Sequence, residues 1–270
     1  MSTYTFSFIG TGNMGSALAR AAARRLPPET ILLSNRTPSK ARTLAGELGC
    51  AAGPVSQAAE EGKYIFLGVK PQMMADLLEE TASALARRRD RFVLVTMAAG
   101  LTMKRIAALA GGDYPVIRIM PNTPCAVGEG VILCDASENV TAEELAEFTE
   151  AMSGAGLIDR LEEKLMDAGS AVAGCGPAFV CLLLEALADG GVACGLPRGK
   201  ALLYAAQMVK GTAALQLKTG EHPEGRGVLP RRDDDCGSPR LGGKGVPGRS
   251  YGRGDCRRGK DEGIGEIEVC

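Results

Sequence analysis

The sequence contains one histidine, His222, and no tryptophan. A single imidazole excludes a multi-histidine metal site within one chain, and no metal is expected. Net charge is nearly absent: 31 Lys and Arg face 32 Asp and Glu. The charge balance therefore points neither to nucleic acid nor to an acidic membrane. None of the nine cysteines forms a C-x-x-C pair, and their number is odd. They read as small buried hydrophobes in a reducing compartment, not as a disulfide framework. No basic stretch precedes an apolar run at the start, so no signal peptide is expected and the cytoplasm is the expected location. The longest uncharged run, Ala168–Leu184, carries Gly and Pro and is followed by Glu185 and Asp189. It falls just short of a membrane span and reads as a buried helix at a subunit interface. What remains is ordinary globular material, 45% apolar and 23% charged over 270 residues, enough for one or two domains with a substantial core.

The most informative stretch is TYTFSFIGTGNMGSALARAAARR, starting at Thr3. Aromatic and β-branched residues from Tyr4 to Ile9 predict a strand. Gly10, Gly12 and Gly15 follow in G-x-G-x-x-G spacing, and an Ala-rich helix is predicted over 16–25. In this setting the first glycine allows a tight turn, the second lets backbone approach a pyrophosphate, and the third lets helix pack on strand. The helix N-terminus then offers free N–H groups and the positive end of its dipole. About 20 residues further on, an NAD site wants a carboxylate for the ribose hydroxyls. Here the second strand ends in Ser34, Asn35 and Arg36, with Lys40 nearby. A guanidinium at that place suits a 2′-phosphate, which favours NADP, with NAD as the alternative.

Three more apolar runs end in unusual tripeptides: Val69-Lys70-Pro71, Ala98-Ala99-Gly100, and Met120 to Pro124. Runs of this kind suit a parallel sheet covered on both faces, where ligands sit at the carboxyl ends of the strands. After residues 157–162 strand signals stop, and 163–218 read as three helices. Pro177 sits near one helix start, and Gly195-Leu196-Pro197 separates the last two. The middle helix carries too much apolar surface, including Phe179, Leu183 and Leu187, for a free helical hairpin, so a second subunit is its natural cover. The small-residue run at 170–179 leaves backbone N–H groups open to an anionic ligand.

Taken together, IGTGNMG, NRTPSK, FLGVKPQ, AAGLT, RIMPNTP and DAGSAVAGCGPAFVCLLLEALADGGVACGLPR resemble the pyrroline-5-carboxylate reductases, the NAD(P)H enzymes that make proline. The resemblance runs from Phe6 to about Pro223. It implies an α/β fold, with a doubly wound Rossmann domain over 1–162 and a helical dimerisation and substrate domain over 163–224. The assembly it implies is a homodimer or a higher oligomer of dimers. It further implies that Gly10, Thr11, Gly12, Asn13, Met14 and Gly15 hold the pyrophosphate and that Ser34, Asn35 and Arg36 hold the adenosine phosphate side. Val69, Lys70, Pro71, Ala98, Ala99 and Asn122 would line the cofactor towards the nicotinamide. Ser170, Gly174, Cys175, Gly176 and Pro177 would lie near the substrate, 1-pyrroline-5-carboxylate. Ser170, Cys175 and Phe179 depart from the usual threonine, serine and tyrosine, and a thiol is a much weaker hydrogen-bond partner than a hydroxyl. No residue stands out as a proton donor. A related dehydrogenase of β-hydroxy acids or imines would show a catalytic lysine in its helical half, and Lys164, Lys200 and Lys210 lack that context.

Residues 225–270 have a different chemistry, rich in Gly, Arg and scattered charge. Where this chain has GRGVLPRRDDDC, the family resemblance implies Asp-Ala-Val-Cys-Ser-Pro-Gly-Gly-Thr-Thr-Ile-Ala. Codons compatible with Gly225–Cys236, read one base later, encode that segment. The first base of every shifted codon is the second base of an original one, which the amino acid largely dictates. All twelve positions agree. The tail from about Pro223 is therefore read as out of frame, in the gene or in its record. A disordered Gly-rich extension and an Arg-Gly nucleic-acid tail are the competing readings, the latter opposed by the interspersed Asp and Glu. On each reading no packed structure is expected there, and a catalytically dead NADP-binding variant is the alternative function. The lost Ser-Pro-Gly-Gly-Thr-Thr loop would hold the substrate carboxylate through hydrogen bonds worth about 1.5–3 kcal/mol each. Steady-state kinetics should therefore show the chain as written to be roughly 10²–10⁴ slower in kcat/KM than a version restored to frame; a gap smaller than tenfold would contradict the loss.

Overall fold

The computed structural model describes residues 2–220; the tail over 225–270, expected to be out of frame and unpacked, lies outside the described residues. The described residues fall into two compact units, 2–180 and 181–220. In the first unit the elements run β1 Tyr4–Ile9, α1 Asn13–Ala22, β2 Ile31–Ser34, α2 Pro38–Leu48, β3 Ala51–Ala52, α3 Val55–Glu61, β4 Gly62–Leu67 and α4 Met74–Arg87. They continue with β5 Val93–Thr96, α5 Met103–Ala110, β6 Val116–Pro121, β7 Gly130–Ala136, α6 Ala142–Met152, β8 Gly156–Arg160 and α7 Met166–Ala173; α8 Gly176–Ala193 begins here, and α9 Arg198–Thr219 belongs to the second unit.

The sheet order is β3-β2-β1-β4-β5-β6-β7-β8. The first six strands are parallel. Their order is that of a dinucleotide-binding sheet, which reverses direction beside β1. The apolar runs read from the sequence as a parallel sheet do pair parallel, and beyond them the sheet becomes mixed. Strand β7, missed in the sequence, runs antiparallel to β6, and β8 pairs parallel to β7. The physical reason is the short connection from β6 to β7. It is a 3-10 turn over Thr123–Val127 closed by Gly128 at φ 79, and a turn that short can only reverse the chain. The two-residue strand β3 was also missed, being too brief to carry a period.

Alternation along β1 sends Phe6 and Phe8 to one face and Ile9 to the other. On the first face Phe8 stacks on Phe66 at 4.2 Å, and Phe6 meets Phe66 edge-on at 5.1 Å. Phe148, on α6, lies 5.9 Å from both Phe6 and Phe66, fully buried. Helix α6 is anchored by a capping box between Thr141 and Glu144, and Arg91 donates to the same Glu144 at 2.7 Å. Together these hold Phe148 over the aromatic cluster. On the second face α3, α4 and α5 cover Ile65, Leu67 and Leu94.

The expected buried helix at 168–184 is not buried in the single chain. Of the apolar window within Glu163–Ala193, only 6% is buried, and by length and composition this stretch is apolar enough to cross a membrane. That exposure suits a helix at a subunit interface: among the described residues too few atoms lie against its surface to bury it. The second unit, described to Gly220, tells the same story. Gly195 at φ +98 turns the chain into α9, and Leu203, Tyr204 and Leu217 stand exposed. Its close contact is between small residues, where a Cβ on Gly191 would lie 3.1 Å from that of Ala201.

Because Phe148 fills the centre of the aromatic cluster, Phe148→Ala should lower the unfolding free energy by about 3–5 kcal/mol in urea titrations, with the same final spectrum as the parent.

Candidate functional site

In a parallel sheet the carboxyl ends of the strands share one edge. The loops after β1, β2, β4, β5 and β6 meet there, and they carry the residues singled out in the sequence. Gly10 takes φ +107, a conformation that side chains disfavour. A Cβ on Gly10 would overlap the carbonyl of Gly68, and one on Gly15 would overlap the carbonyl of Gly10. Gly68 N donates to Ile9 O at 2.8 Å, so the ends of β1 and β4 close onto one another through bare backbone. Gly68 was not picked out in the sequence. Its signal was available, a lone glycine directly after an apolar strand.

Gly12 is the N-cap of α1 and makes no side-chain cap, and a Cβ there would meet nothing within 4 Å. The first turn of α1 holds no acidic residue. Open space above uncapped N–H groups is what an anionic ligand needs. Two hydroxyls add to this: Thr11 Oγ1 and Ser34 Oγ are buried and have no hydrogen-bond partner among the described residues. Buried hydroxyls are rarely left so, and a ligand at this edge would give them partners. Arg36 and Lys40 stand exposed at the end of β2, neither in an ion pair among the described residues. Asn13 is exposed, while Met14 packs against the core. Asn35 Nδ2 turns back to Thr37 O at 3.3 Å.

Further along the edge, Lys70, Pro71 and Ala99 are exposed and Val69 is half-buried against the core. Ala98 is only 2% exposed, and its N–H goes to Thr96 Oγ1 at 3.3 Å. Asn122, at the end of β6, is 7% exposed. Its side chain is committed to the protein: Oδ1 accepts from Val131 N at 2.9 Å, and Nδ2 donates to Ala173 O at 3.0 Å. That second bond brings the end of α7 to the end of β6, residues 51 positions apart in the chain. Ser170 is half-buried on α7, and Gly174 and Cys175 are exposed just beyond it, with Gly176 and Pro177 opening α8. Gly174 N and Cys175 N both donate to Ser170 O, at 2.8 and 3.0 Å. The thiols nearer the sheet are of another kind. Burial raises Cys125 and pushes Cys134 up to about 12, so neither is a nucleophile at neutral pH.

Two supporting residues were missed in the sequence. Arg24, on the turn after α1, donates to Cys125 O and to Gly154 O at 3.3 and 3.0 Å and also to Ala126 O, holding the turn after β6. Arg118 is a buried cation inside β6, paired with Glu163 at 3.1 Å. A charge within the apolar run Val116–Met120 was the visible signal.

Two protein families match this chain. The one described as pyrroline-5-carboxylate reductase dimerisation matches residues 163–226, and the one described as NADP oxidoreductase, coenzyme F420-dependent, matches residues 5–100. A pyrroline-5-carboxylate reductase of Glycine max is 37% identical over 224 residues, 82% of this chain and 80% of that protein. The one from Escherichia coli K12 is 36% identical over 80% of each. Among solved structures, the pyrroline carboxylate reductase of Plasmodium falciparum with NADP bound aligns with a TM-score of 0.71 at 29% identity, covering 82% of this chain and 81% of that one.

Gly12 and Gly15 separate binding from folding. Gly12→Asp puts a carboxylate at an N-cap where nothing clashes, so the melting temperature should hold or rise while dinucleotide affinity drops about 30-fold or more. Gly15→Ala should instead lower the melting temperature, because its Cβ collides with backbone. Thermal scans and fluorescence titration read both.

Proposed function

The chain belongs to the pyrroline-5-carboxylate reductase family, and from that premise we propose that it reduces 1-pyrroline-5-carboxylate to L-proline with NAD(P)H, the last step of proline biosynthesis. The observation that carries this is the meeting of two segments at one strand end: the glycine-lined edge of the sheet and the small-residue loop after α7, joined by Asn122 and Ala173. A dinucleotide on the first and a small acid on the second would face each other.

The residues present suit the cofactor. Gly10, Gly12, Asn13 and Gly15 would receive the pyrophosphate, with Thr11 and Ser34 supplying unpaired hydroxyls. Arg36 would grip the 2′-phosphate of NADP as a charge-assisted fork. When bound, the nicotinamide supplies a hydride to the imine carbon of the five-membered ring. The chain's own part is alignment and dryness. Val69, Lys70, Pro71 and Ala99 would wall the ring, and the small-residue loop Gly174–Pro177 would face the substrate carboxylate, with Gly176 N as its backbone donor, since Gly174 N and Cys175 N are taken by Ser170 O. A cyclic iminium is already electrophilic, so the protein needs no strong general acid. The relatives carry one activity in their names, and a β-hydroxy acid dehydrogenase is not favoured.

The enzyme is an oligomer, and the form we propose is a homodimer or a larger assembly of dimers. Leu182 and Leu203 are each 63% exposed, and an apolar helix bare on most sides needs a partner that surrounds it rather than one that touches a single face. In this proposal the division lies at 162/163, with α7 starting the helical half. Free cysteines throughout the described residues suit the reducing cytoplasm, the proposed location.

The full chain with NADPH and 1-pyrroline-5-carboxylate should oxidise the cofactor and yield proline, even if slowly; binding of NADPH without any proline formed would count against the proposal. Arg36→Ala should raise the KM for NADPH by about tenfold or more, the loss of one charged hydrogen bond, and leave that for NADH within twofold.

A further inference from the structure

One strand holds α7 at both ends. Near its start, Arg118 of β6, 4% exposed, donates from Nη1 to Glu163 Oε1 at 3.1 Å, with Asp167 Oδ1 3.6 Å from Nη2. Glu163 is itself placed by two backbone bonds: its Oε1 accepts from Met103 N at 2.8 Å, and its own N donates to Asp135 Oδ2 at 2.7 Å. At the far end, Asn122 reaches Ala173 O, one of the last carbonyls of the helix, which have no partner within the helix itself. Arg118 and Asn122 are four residues apart, about 13 Å along an extended strand. Their targets Asp167 and Ala173 are about 9 Å apart along a helix. Two anchors at that spacing fix both the height and the tilt of the helix between them, and Ser170 lies in that span.

A buried guanidinium in an apolar strand contributes little stability over a hydrophobic residue of similar size, so its return is geometric. The Nε of Arg118 has no partner, which marks a group held for the reach of its other two nitrogens. On the function proposed above, we infer that Arg118 and Asn122 are positioning residues: acting through α7, they set Ser170 and the Gly174–Pro177 loop over the strand ends where the imine meets the nicotinamide. Neither touches the substrate. Misplacement by about 1 Å is enough to cost roughly 10²-fold in rate.

Asn122→Asp in the full chain isolates the tether. It keeps the Oδ1 acceptor for Val131 N and removes the donor to Ala173 O. Single-turnover hydride transfer to 1-pyrroline-5-carboxylate should fall at least tenfold, and amide hydrogen exchange should rise over 166–175 but not in β1–β5. Arg118→Met should give the same pattern, with Arg118→Lys recovering part of the transfer rate. In Arg118→Met, whose side chain is outside the expected cofactor lining, NADPH affinity, from the fluorescence of the bound nicotinamide, should stay within threefold. Equal losses in NADPH affinity and transfer in that variant would overturn the inference, as would faster exchange with unchanged transfer. If the parent chain binds NADPH but transfers no hydride, the proposed reaction fails on its own account; unchanged exchange over 166–175 in Asn122→Asp would then overturn the tether as well.

Discussion

The site depends on a contact made by backbone alone. Gly10, Gly15 and Gly68 meet where any Cβ would collide, and that lets the end of β1, the start of α1 and the end of β4 converge. The convergence points the first N–H groups of α1 into open space above Gly12. It also leaves Thr11 and Ser34 buried with hydroxyls that the protein does not satisfy. A chain that orders such groups gives up stability locally. The aromatic cluster around Phe6, Phe66 and Phe148 offsets this from below, since it fastens the same strands a few residues earlier.

From that edge the architecture extends in two directions. The sheet continues through β6 and reverses into β7, so the turn after β6 is short, and Arg24 braces it from the turn after α1. That turn presents Asn122, and Asn122 takes hold of α7. The strand-end edge and the small-residue loop after α7, far apart in sequence, are thereby joined by one amide side chain. Helices α8 and α9 are built on a different principle. Their apolar residues find too few neighbours among the described residues, which is the expected state of a segment whose core is completed by another copy.

Much of the site was legible in the sequence because it is local. The G-x-G-x-x-G spacing, the absence of a carboxylate after β2 and the placement of Arg36 are all properties of neighbouring residues. So are the strand-end tripeptides. The parts that were not legible are pairings. Gly68 matters because of Gly10, Arg118 because of Glu163, and Asn122 because of Ala173; none of these partners is near in sequence. Strand β7 was missed for a related reason: its apolar run at 131–134 is only four residues long and shows no alternation, and its partner decides its direction.

By itself, then, the amino-acid sequence determined the class of fold, the nucleotide edge, the family and the change of chemistry after Pro223, since each is written in composition, spacing or local conformational preference. Tertiary structure alone decided the antiparallel seventh strand, the hydrogen bond from Asn122 to Ala173, and the exposure of α8 and α9. Those depend on which surfaces meet, and a hydrogen bond or a buried face exists only once both of its partners are in place.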